Sequence, residues 1–198
     1  MGKLILILGG ARSGKSSYAE AQAKELGGEN VLYVATSQTK DEEMQERVEK
    51  HRADRPTAWA TLEAPRNVVQ ALRQAQDKTL SQERSVDVIL LDCITFLVAN
   101  HLMDASAPED DPFDELSGDP FDKEIEAGIV AEVEALVDFV RENDTTMLVV
   151  SNEVGLGLVP AYELGRAYRD VLGRANQILA AHADEVLFFV AGLPMKVK

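Results

Sequence analysis

Residues 9–16, GGARSGKS, contain the residue types and spacing that bind phosphate groups. They satisfy the pattern G-x-x-x-x-G-K-[ST] at every fixed position. Glycines let backbone N–H groups close around phosphate oxygens, and a helix that follows adds the partial positive charge of its N-terminus. Lys15 would reach the β- and γ-phosphates, and the Ser16 hydroxyl would ligate Mg²⁺. The stretch predicts a site for a nucleoside triphosphate.

The elements around this loop follow from hydrophobic patterning. An apolar run at 4–8 predicts a buried strand, and residues 16–26 predict a helix that Gly27 and Gly28 end. Further strands are predicted at 31–36, 86–92, 146–150, 185–192 and 195–198, and further helices at 41–56, 68–76, 122–142 and 161–182. This alternation predicts an α/β fold with a mostly parallel sheet and helices on both faces.

Length and composition indicate one globular domain over residues 1–198, with 45% hydrophobic and 27% charged residues. Neither a signal peptide nor a membrane span is expected, because no apolar stretch approaches the roughly 20 residues that a bilayer requires. The single cysteine, Cys93, cannot form an internal disulfide, which favours a reducing cytoplasm.

The net charge of −14 argues against a nucleic-acid partner, because phosphate backbones require a basic surface. Ten acidic residues and one lysine lie between Asp104 and Glu126, so this segment carries most of the negative charge. The sequence DPFD occurs twice there, with a spacing that does not match an EF-hand calcium loop. We expect an acidic, solvated loop at about 104–124.

Polar residues follow several of the predicted strands. Thr36 and Ser37 end the second strand, Asp92 ends the strand at 86–92, and Ser151 to Glu153 follow the strand at 146–150. In an open parallel sheet, ligands bind at the carboxyl ends of the strands. Asp92 resembles the aspartate that helps to hold Mg²⁺ in P-loop proteins. A strand-end turn that contacts no ligand is the other interpretation of Thr36 and Ser37.

His51 lies on the predicted helix at 41–56, on the same face as Met44 and Val48. The surrounding residues 50–55 include three cations. A histidine in this setting could contact a phosphate or attack one as a nucleophile. The other interpretation is a hydrogen-bonded histidine at the edge of the core, and the residues alone favour this second interpretation.

Five stretches of the chain together resemble one family: LGGARSGKSSYAE, VLYVATSQTKDEEMQERVEKHRADRP, ILLDCIT, VVSNEVGLGLVP and RDVLGRANQILAAHADEV. The family is the bifunctional adenosylcobinamide kinase / adenosylcobinamide-phosphate guanylyltransferase family of cobalamin biosynthesis. The stretches occur in the expected order over nearly the whole chain.

The resemblance implies a P-loop NTPase fold with RecA-like strand order and two successive reactions. ATP or GTP first phosphorylates the aminopropanol hydroxyl of adenosylcobinamide. GTP then transfers GMP to an active-site histidine with release of pyrophosphate, and the GMP passes to adenosylcobinamide phosphate to give adenosylcobinamide-GDP. The resemblance also implies Mg²⁺ as cofactor and a homo-oligomer, commonly a trimer.

The family's functional residues carry over onto matching positions. The catalytic residues are His51 and Lys15; some relatives have a further histidine where this chain has Lys50. Asp92 is glutamate in some relatives, so its role as a metal ligand, with Ser16, or as a guanine contact stays open. The implied nucleotide-binding residues are Gly9, Gly10, Ala11, Arg12, Ser13, Gly14, Lys15, Ser16, Ala35, Thr36, Ser37, Arg52, Ala53, Asp54, Arg55, Glu63 and Asp92.

Three other functions are compatible with a phosphate-binding loop. A monofunctional small-molecule kinase would use Lys15 and Asp92 and form no covalent nucleotidyl intermediate. A GTP switch would require an N-K-x-D guanine motif, which the sequence lacks; the D-x-x-G at 170–173 lies in a predicted helix. A RecA-like motor is usually larger and, where it handles DNA, more basic. The monofunctional kinase is the main alternative.

Overall fold

The computed structural model describes residues 2–38, 56–80, 85–105 and 122–198, without the side chains of 77–80 and 104–105. Its strands are β1 (Leu4–Gly9), β2 (Val31–Ala35), β3 (Ala60–Glu63), β4 (Val88–Asp92), β5 (Thr146–Asn152), β6 (Glu185–Val190) and β7 (Leu193–Lys196). Its helices are α1 (Lys15–Gly27), α2 (Val68–Leu80), α3 (Ile94–Ala105), α4 (Lys123–Glu142) and α5 (Glu163–His182).

One sheet in the order β3-β2-β4-β5-β1-β6-β7 contains all the strands of these described ranges. Strands β1 to β6 are parallel, and β7 pairs with β6 in the antiparallel direction. Strand β5 lies between β1 and β4, which is the RecA-like order that the resemblance implies. The predicted α/β fold with a mostly parallel sheet is confirmed.

Helices cover both faces of the sheet, but unequally in the described part of the chain. Helix α1 packs on one face, mainly against β4, β5 and β1. Helices α2 to α5 form the layer on the other face, where α5 contacts both α3 and α4. Parallel strands covered on both faces are apolar along their length, and β1, β2, β4 and β5 are buried over most of theirs.

Helix α1 contacts the sheet through a stripe of small residues. Ala19, Ala23 and Gly27 are buried and recur every four residues, so they lie on one side of the helix. A Cβ atom on Gly27 would lie 2.9 Å from Cγ2 of Val88 and 3.0 Å from Cγ2 of Val31. The absence of larger side chains therefore lets α1 lie close to the sheet.

The structure agrees with the sequence for most elements and adds two. Strand β3 and helix α3 are not predicted by the patterning. The helix predicted at 122–142 is present as α4. The Asp122 side chain caps it by accepting a hydrogen bond from the backbone N–H of Glu124 at 2.8 Å. Of the helix predicted at 41–56, all but Pro56 lies outside the described residues, as do residues 106–121 of the acidic segment. Among the described helices, none has the length and apolar character needed to cross a membrane.

The close approach of α1 predicts opposite effects for one substitution at two helical glycines. Gly27→Ala should lower the free energy of unfolding by about 1–3 kcal/mol, because the new methyl group overlaps Val88 and Val31. Gly128→Ala in α4 should raise it by about 0.5–1 kcal/mol, because the position is exposed and a Cβ there meets nothing within 4 Å. Urea unfolding measures both changes. Equal effects at the two glycines would contradict the close packing of α1.

Candidate active site

Five neighbouring strands end in residues that lie on the face of the sheet that α1 covers. Side chains alternate between faces along a strand, and on β1, β4 and β5 the residues two positions before the strand end pack on the α1 face: Ile7, Leu90 and Val150. The terminal residues Gly9, Asp92 and Asn152 therefore return to that face. Register then aligns Ala35 with both Glu63 and Asp92, and Gly9 with Asn152. We call these five strand-end residues on β1 to β5 the α1-side edge: Gly9, Ala35, Glu63, Asp92 and Asn152.

Gly9 ends β1 and begins the phosphate-binding loop where no side chain fits. A Cβ atom there would lie 2.7 Å from Oγ of Ser13 and 2.9 Å from Cβ of Phe189. The loop therefore folds directly back over the end of its own strand. Its far side meets the turn between β6 and β7, where the backbone N–H of Gly192 donates to the carbonyl oxygen of Ser13 at 3.0 Å.

Lys15 is the first residue of α1 and belongs to the same sheet-facing stripe as Ala19 and Ala23. The helical register that brings the small residues against the sheet therefore turns the lysine toward the α1-side edge. Its side chain is buried, and Nζ donates to the carbonyl oxygen of Gly10 at 3.0 Å. A buried ammonium beside the N-terminus of a helix favours an anion at this position.

Asp92 is held by a buried tyrosine on the neighbouring strand. The hydroxyl of Tyr33 donates to Oδ2 of Asp92 at 2.8 Å, and Tyr33 is 3% exposed. The next residue, Cys93, is also buried. Burial raises the pKa of the Cys93 thiol to about 12, the negative charge of Asp92 adds to the rise, and the positive charge of Lys15 opposes it. The thiol therefore stays protonated and unreactive, and Asp92 and Lys15 both lie within electrostatic reach of it.

Thr36 holds the backbone next to Asp92. Its hydroxyl donates to the carbonyl oxygen of Cys93 at 2.6 Å and accepts from the backbone N–H of the same residue at 2.8 Å. Its own carbonyl oxygen accepts from Nδ2 of Asn100 at 2.8 Å, and its N–H donates to the carbonyl oxygen of Asp92 at 3.2 Å. The polar groups of Thr36 are thus engaged inside the protein, and the residue positions the end of β4.

The structure describes most of the sequence-predicted site residues, and they lie in the phosphate-binding loop or at the carboxyl ends of strands. These described residues are Gly9, Gly10, Ala11, Arg12, Ser13, Gly14, Lys15, Ser16, Ala35, Thr36, Ser37, Glu63 and Asp92. Glu63 is exposed at the end of β3. His51, Arg52, Ala53, Asp54 and Arg55 lie outside the described residues.

Several positioning contacts are not visible in the sequence. They include the bond from Tyr33 to Asp92, the two bonds from Asn100 to the carbonyl oxygens of Thr36 and Pro65, and the contact of Gly192 with the loop. Each joins residues far apart in the chain, so no local pattern marks them. The one available signal is a polar residue within an apolar stretch, such as Asn100.

The family model described as "Cobinamide kinase / cobinamide phosphate guanyltransferase" matches residues 5–197. The chain is 38% identical over 196 residues to the "Bifunctional adenosylcobalamin biosynthesis protein CobU" of Escherichia coli (strain K12), covering 98% of this chain and 99% of that protein. It is 42% identical over 193 residues to the "Bifunctional adenosylcobalamin biosynthesis protein CobP" of Pseudomonas aeruginosa, covering 98% and 96%.

Among solved structures, an ATPase domain is similar to this chain with a TM-score of 0.53 and 15% identity, covering 94% of this chain and 68% of that one. At this level of identity the likeness shows the fold alone. It agrees with the P-loop NTPase fold.

The hydrogen bonds of the Thr36 hydroxyl predict that the protein loses stability when this hydroxyl is removed. Thr36→Val should lower the free energy of unfolding by about 1–3 kcal/mol, because the buried N–H of Cys93 loses its partner and its carbonyl oxygen keeps only the N–H of Leu97, at 3.3 Å. Thr36→Ser keeps the hydroxyl and should lower the free energy of unfolding by clearly less. Urea unfolding of the two variants tests this expectation. An equal loss in both would mean that the methyl group, not the hydroxyl, stabilises this turn.

Proposed function

The chain belongs to the cobinamide kinase / cobinamide phosphate guanyltransferase family, and we propose that both of its reactions use the nucleotide held at the α1-side edge. It is an enzyme of adenosylcobalamin biosynthesis with two transferase activities. One observation carries this conclusion: the family match over residues 5–197 includes the whole phosphate-binding loop and its buried Lys15. Nucleoside triphosphates and cobinamide compounds are its substrates.

In the kinase reaction, the aminopropanol hydroxyl of adenosylcobinamide attacks the γ-phosphorus of ATP or GTP. The bond from the γ-phosphorus to the bridging oxygen breaks, and the nucleoside diphosphate leaves with the electron pair. Backbone N–H groups of residues 10–16 and the Lys15 ammonium are proposed to bind the phosphates and offset the charge that develops on the leaving group.

In the guanylyltransferase reaction, we propose that a ring nitrogen of His51 attacks the α-phosphorus of GTP and that pyrophosphate leaves. A phosphate oxygen of adenosylcobinamide phosphate then attacks the guanylyl phosphorus, the P–N bond breaks, and the histidine is regenerated. An unprotonated imidazole is a competent nucleophile for this step. The sequence supports the proposal through the family match and the cations at Arg52 and Arg55, which suit a polyphosphate.

The proposed nucleotide contacts beyond the loop are Ala35, Thr36, Ser37, Arg52, Ala53, Asp54, Arg55, Glu63 and Asp92. The geometry of Thr36 favours an indirect contribution, because its hydroxyl is bonded to the Cys93 backbone. Asp92 and Glu63 lie on either side of Ala35 in the sheet, so both carboxylates are at the same edge as the loop. Their negative charge suits a metal ion or the N–H groups of a guanine base.

Magnesium fits the donor set at this edge. Asp92 supplies a carboxylate and Ser16 a hydroxyl, and both are the hard oxygen donors that Mg²⁺ prefers. The described residues contain no cluster of three or more acidic, histidine or cysteine side chains that could hold a metal by themselves. Mg²⁺ typically completes its coordination with water and substrate phosphates, and bound here it would neutralise charge on the transferring group.

We also propose a single domain, a homo-oligomer such as the trimer implied by the family resemblance, and a cytoplasmic location. The single cysteine of the chain and the small corrinoid and nucleotide substrates support the location. The oligomer rests on the resemblance.

Covalent labelling tests the guanylyltransferase proposal. The wild-type protein incubated with GTP radiolabelled at the α-phosphate should retain label after denaturation, and the label should resist alkali and be lost in acid, as a P–N bond requires. His51→Ala should retain none. His182→Ala removes an exposed histidine at the end of α5 and serves as the matched control, with label equal to wild type.

Absence of label from the wild type would overturn the histidine intermediate and favour the monofunctional kinase. Label that persists in His51→Ala would assign the intermediate to another residue.

A further inference from the structure

Two buried side-chain oxygens beside Gly9 have no hydrogen-bond partner within the described part of the chain. They are Oγ of Ser13 and Oδ1 of Asn152. Ser13 lies in the phosphate-binding loop, and Asn152 is the register partner of Gly9 on β5. Buried polar atoms in native proteins are nearly always hydrogen-bonded, so two unpaired oxygens at one corner point to a ligand that completes them.

The backbone of Asn152 is held from both sides. Its N–H donates to Oγ1 of Thr95 at 3.1 Å, and its carbonyl oxygen accepts from Nδ2 of Asn176 at 2.9 Å. Asn176 is itself fixed by the hydroxyl of Ser151, which donates to its Oδ1 at 2.7 Å. These bonds anchor the position from α3 and α5, so the side chain is presented on the α1-side edge by a rigid frame.

The strand order places Asn152 between the two groups expected to handle the phosphates. Strand β5 separates β1, which carries the loop, from β4, which carries Asp92. Because all three strand ends lie on the α1 face, Asn152 lies beside Gly9, and it lies two residues beyond Val150, the residue of β5 that pairs with Asp92. If the loop binds the phosphates and Asp92 helps to hold Mg²⁺, the terminal phosphate and the group that attacks it are expected on this side of the loop.

The chemistry of the unpaired Oδ1 of Asn152 restricts which groups can bind to it. A carboxamide oxygen only accepts hydrogen bonds, and the oxygens of an ionised phosphate also only accept. The partner is therefore not a phosphate oxygen: it is a metal ion or a group that brings a hydrogen. Of the reacting groups in the kinase reaction, the attacking hydroxyl is the one that carries it. The Ser13 hydroxyl differs, because it can donate to a phosphate oxygen directly.

We propose that Oδ1 of Asn152 accepts a hydrogen bond from the attacking hydroxyl of the cobinamide substrate and orients that oxygen in line with the γ-phosphorus. This proposal rests on the proposed kinase function. The hydroxyl oxygen forms the new P–O bond, the bond to the bridging oxygen of the nucleotide breaks, and the hydroxyl proton is released to water. An amide cannot take up the proton, so the contribution of Asn152 is orientation.

The test uses Asn152→Leu, which keeps the approximate volume and removes the unpaired oxygen, with Asn152→Ala as a second variant. Phosphorylation of cobinamide by ATP is followed as a function of each substrate. We expect kcat to fall on the order of 100-fold, as for loss of an orienting contact, with the KM for ATP unchanged. The thermal midpoint should not fall, because no hydrogen bond of the Asn152 side-chain oxygen is lost. Covalent guanylylation from GTP, which does not involve the hydroxyl, should stay at the wild-type level.

Asn143→Ala provides the matched control for a structural asparagine. Its side chain donates to the carbonyl oxygen of Phe139 at 2.6 Å and accepts from Gln76 at 2.9 Å, at the far end of α4. We expect this variant to lower the thermal midpoint and to leave kcat unchanged.

Two results would overturn the proposal for Asn152. One is a kcat within about threefold of wild type in either Asn152 variant. The other is a joint loss of kinase activity, guanylylation and thermal stability, which marks a structural residue. Failure of the proposed function itself is distinguishable, because the wild-type protein would then phosphorylate no cobinamide.

Discussion

The close contact between α1 and the sheet fixes the geometry of the whole site. Because Ala19, Ala23 and Gly27 have little or no side chain, the helix approaches the strands so closely that a Cβ atom on Gly27 would lie 2.9 Å from Cγ2 of Val88. Lys15 continues the same stripe, so one packing requirement determines both the position of the helix and the direction of the lysine. The loop that precedes α1 must then turn within a few residues, and Gly9 allows this turn.

A second constraint is the hydrogen-bonded frame beneath the α1-side edge. Thr36, which follows β2, is bonded to Cys93, which follows β4, and Asn100 joins α3 to both Thr36 and Pro65. Asn176 joins α5 to the end of β5 by donating a hydrogen bond to the carbonyl oxygen of Asn152. When one partner of a buried hydrogen bond is lost, the remaining polar group is left unpaired and the protein is strongly destabilised. Complete networks of this kind therefore hold the strand ends in one arrangement. Rigid strand ends can present Asp92 and Asn152 to a substrate without rearrangement.

Much of the fold follows from local sequence patterns. The GGARSGKS motif lies between a predicted strand and a predicted helix, and both are present as β1 and α1. Strand β3 is not predicted because its four residues are mostly exposed at the sheet edge and show no apolar run. Helix α3 is not predicted because only Cys93 separates it from β4, and both are strongly apolar. The positions of Thr36 and Asn152 depend on partners 57 and 24 residues away in the sequence, which local patterns do not reveal.

The most direct test of a shared triphosphate site at the α1-side edge is a crystal structure with Mg²⁺ and a GTP analogue that cannot be hydrolysed. We expect the β- and γ-phosphates to lie against the backbone N–H groups of residues 10–16. Nζ of Lys15 should leave the carbonyl oxygen of Gly10, to which it now donates at 3.0 Å, and bind phosphate oxygens. A nucleotide bound elsewhere, with Lys15 still bonded to Gly10, would contradict this account of the site.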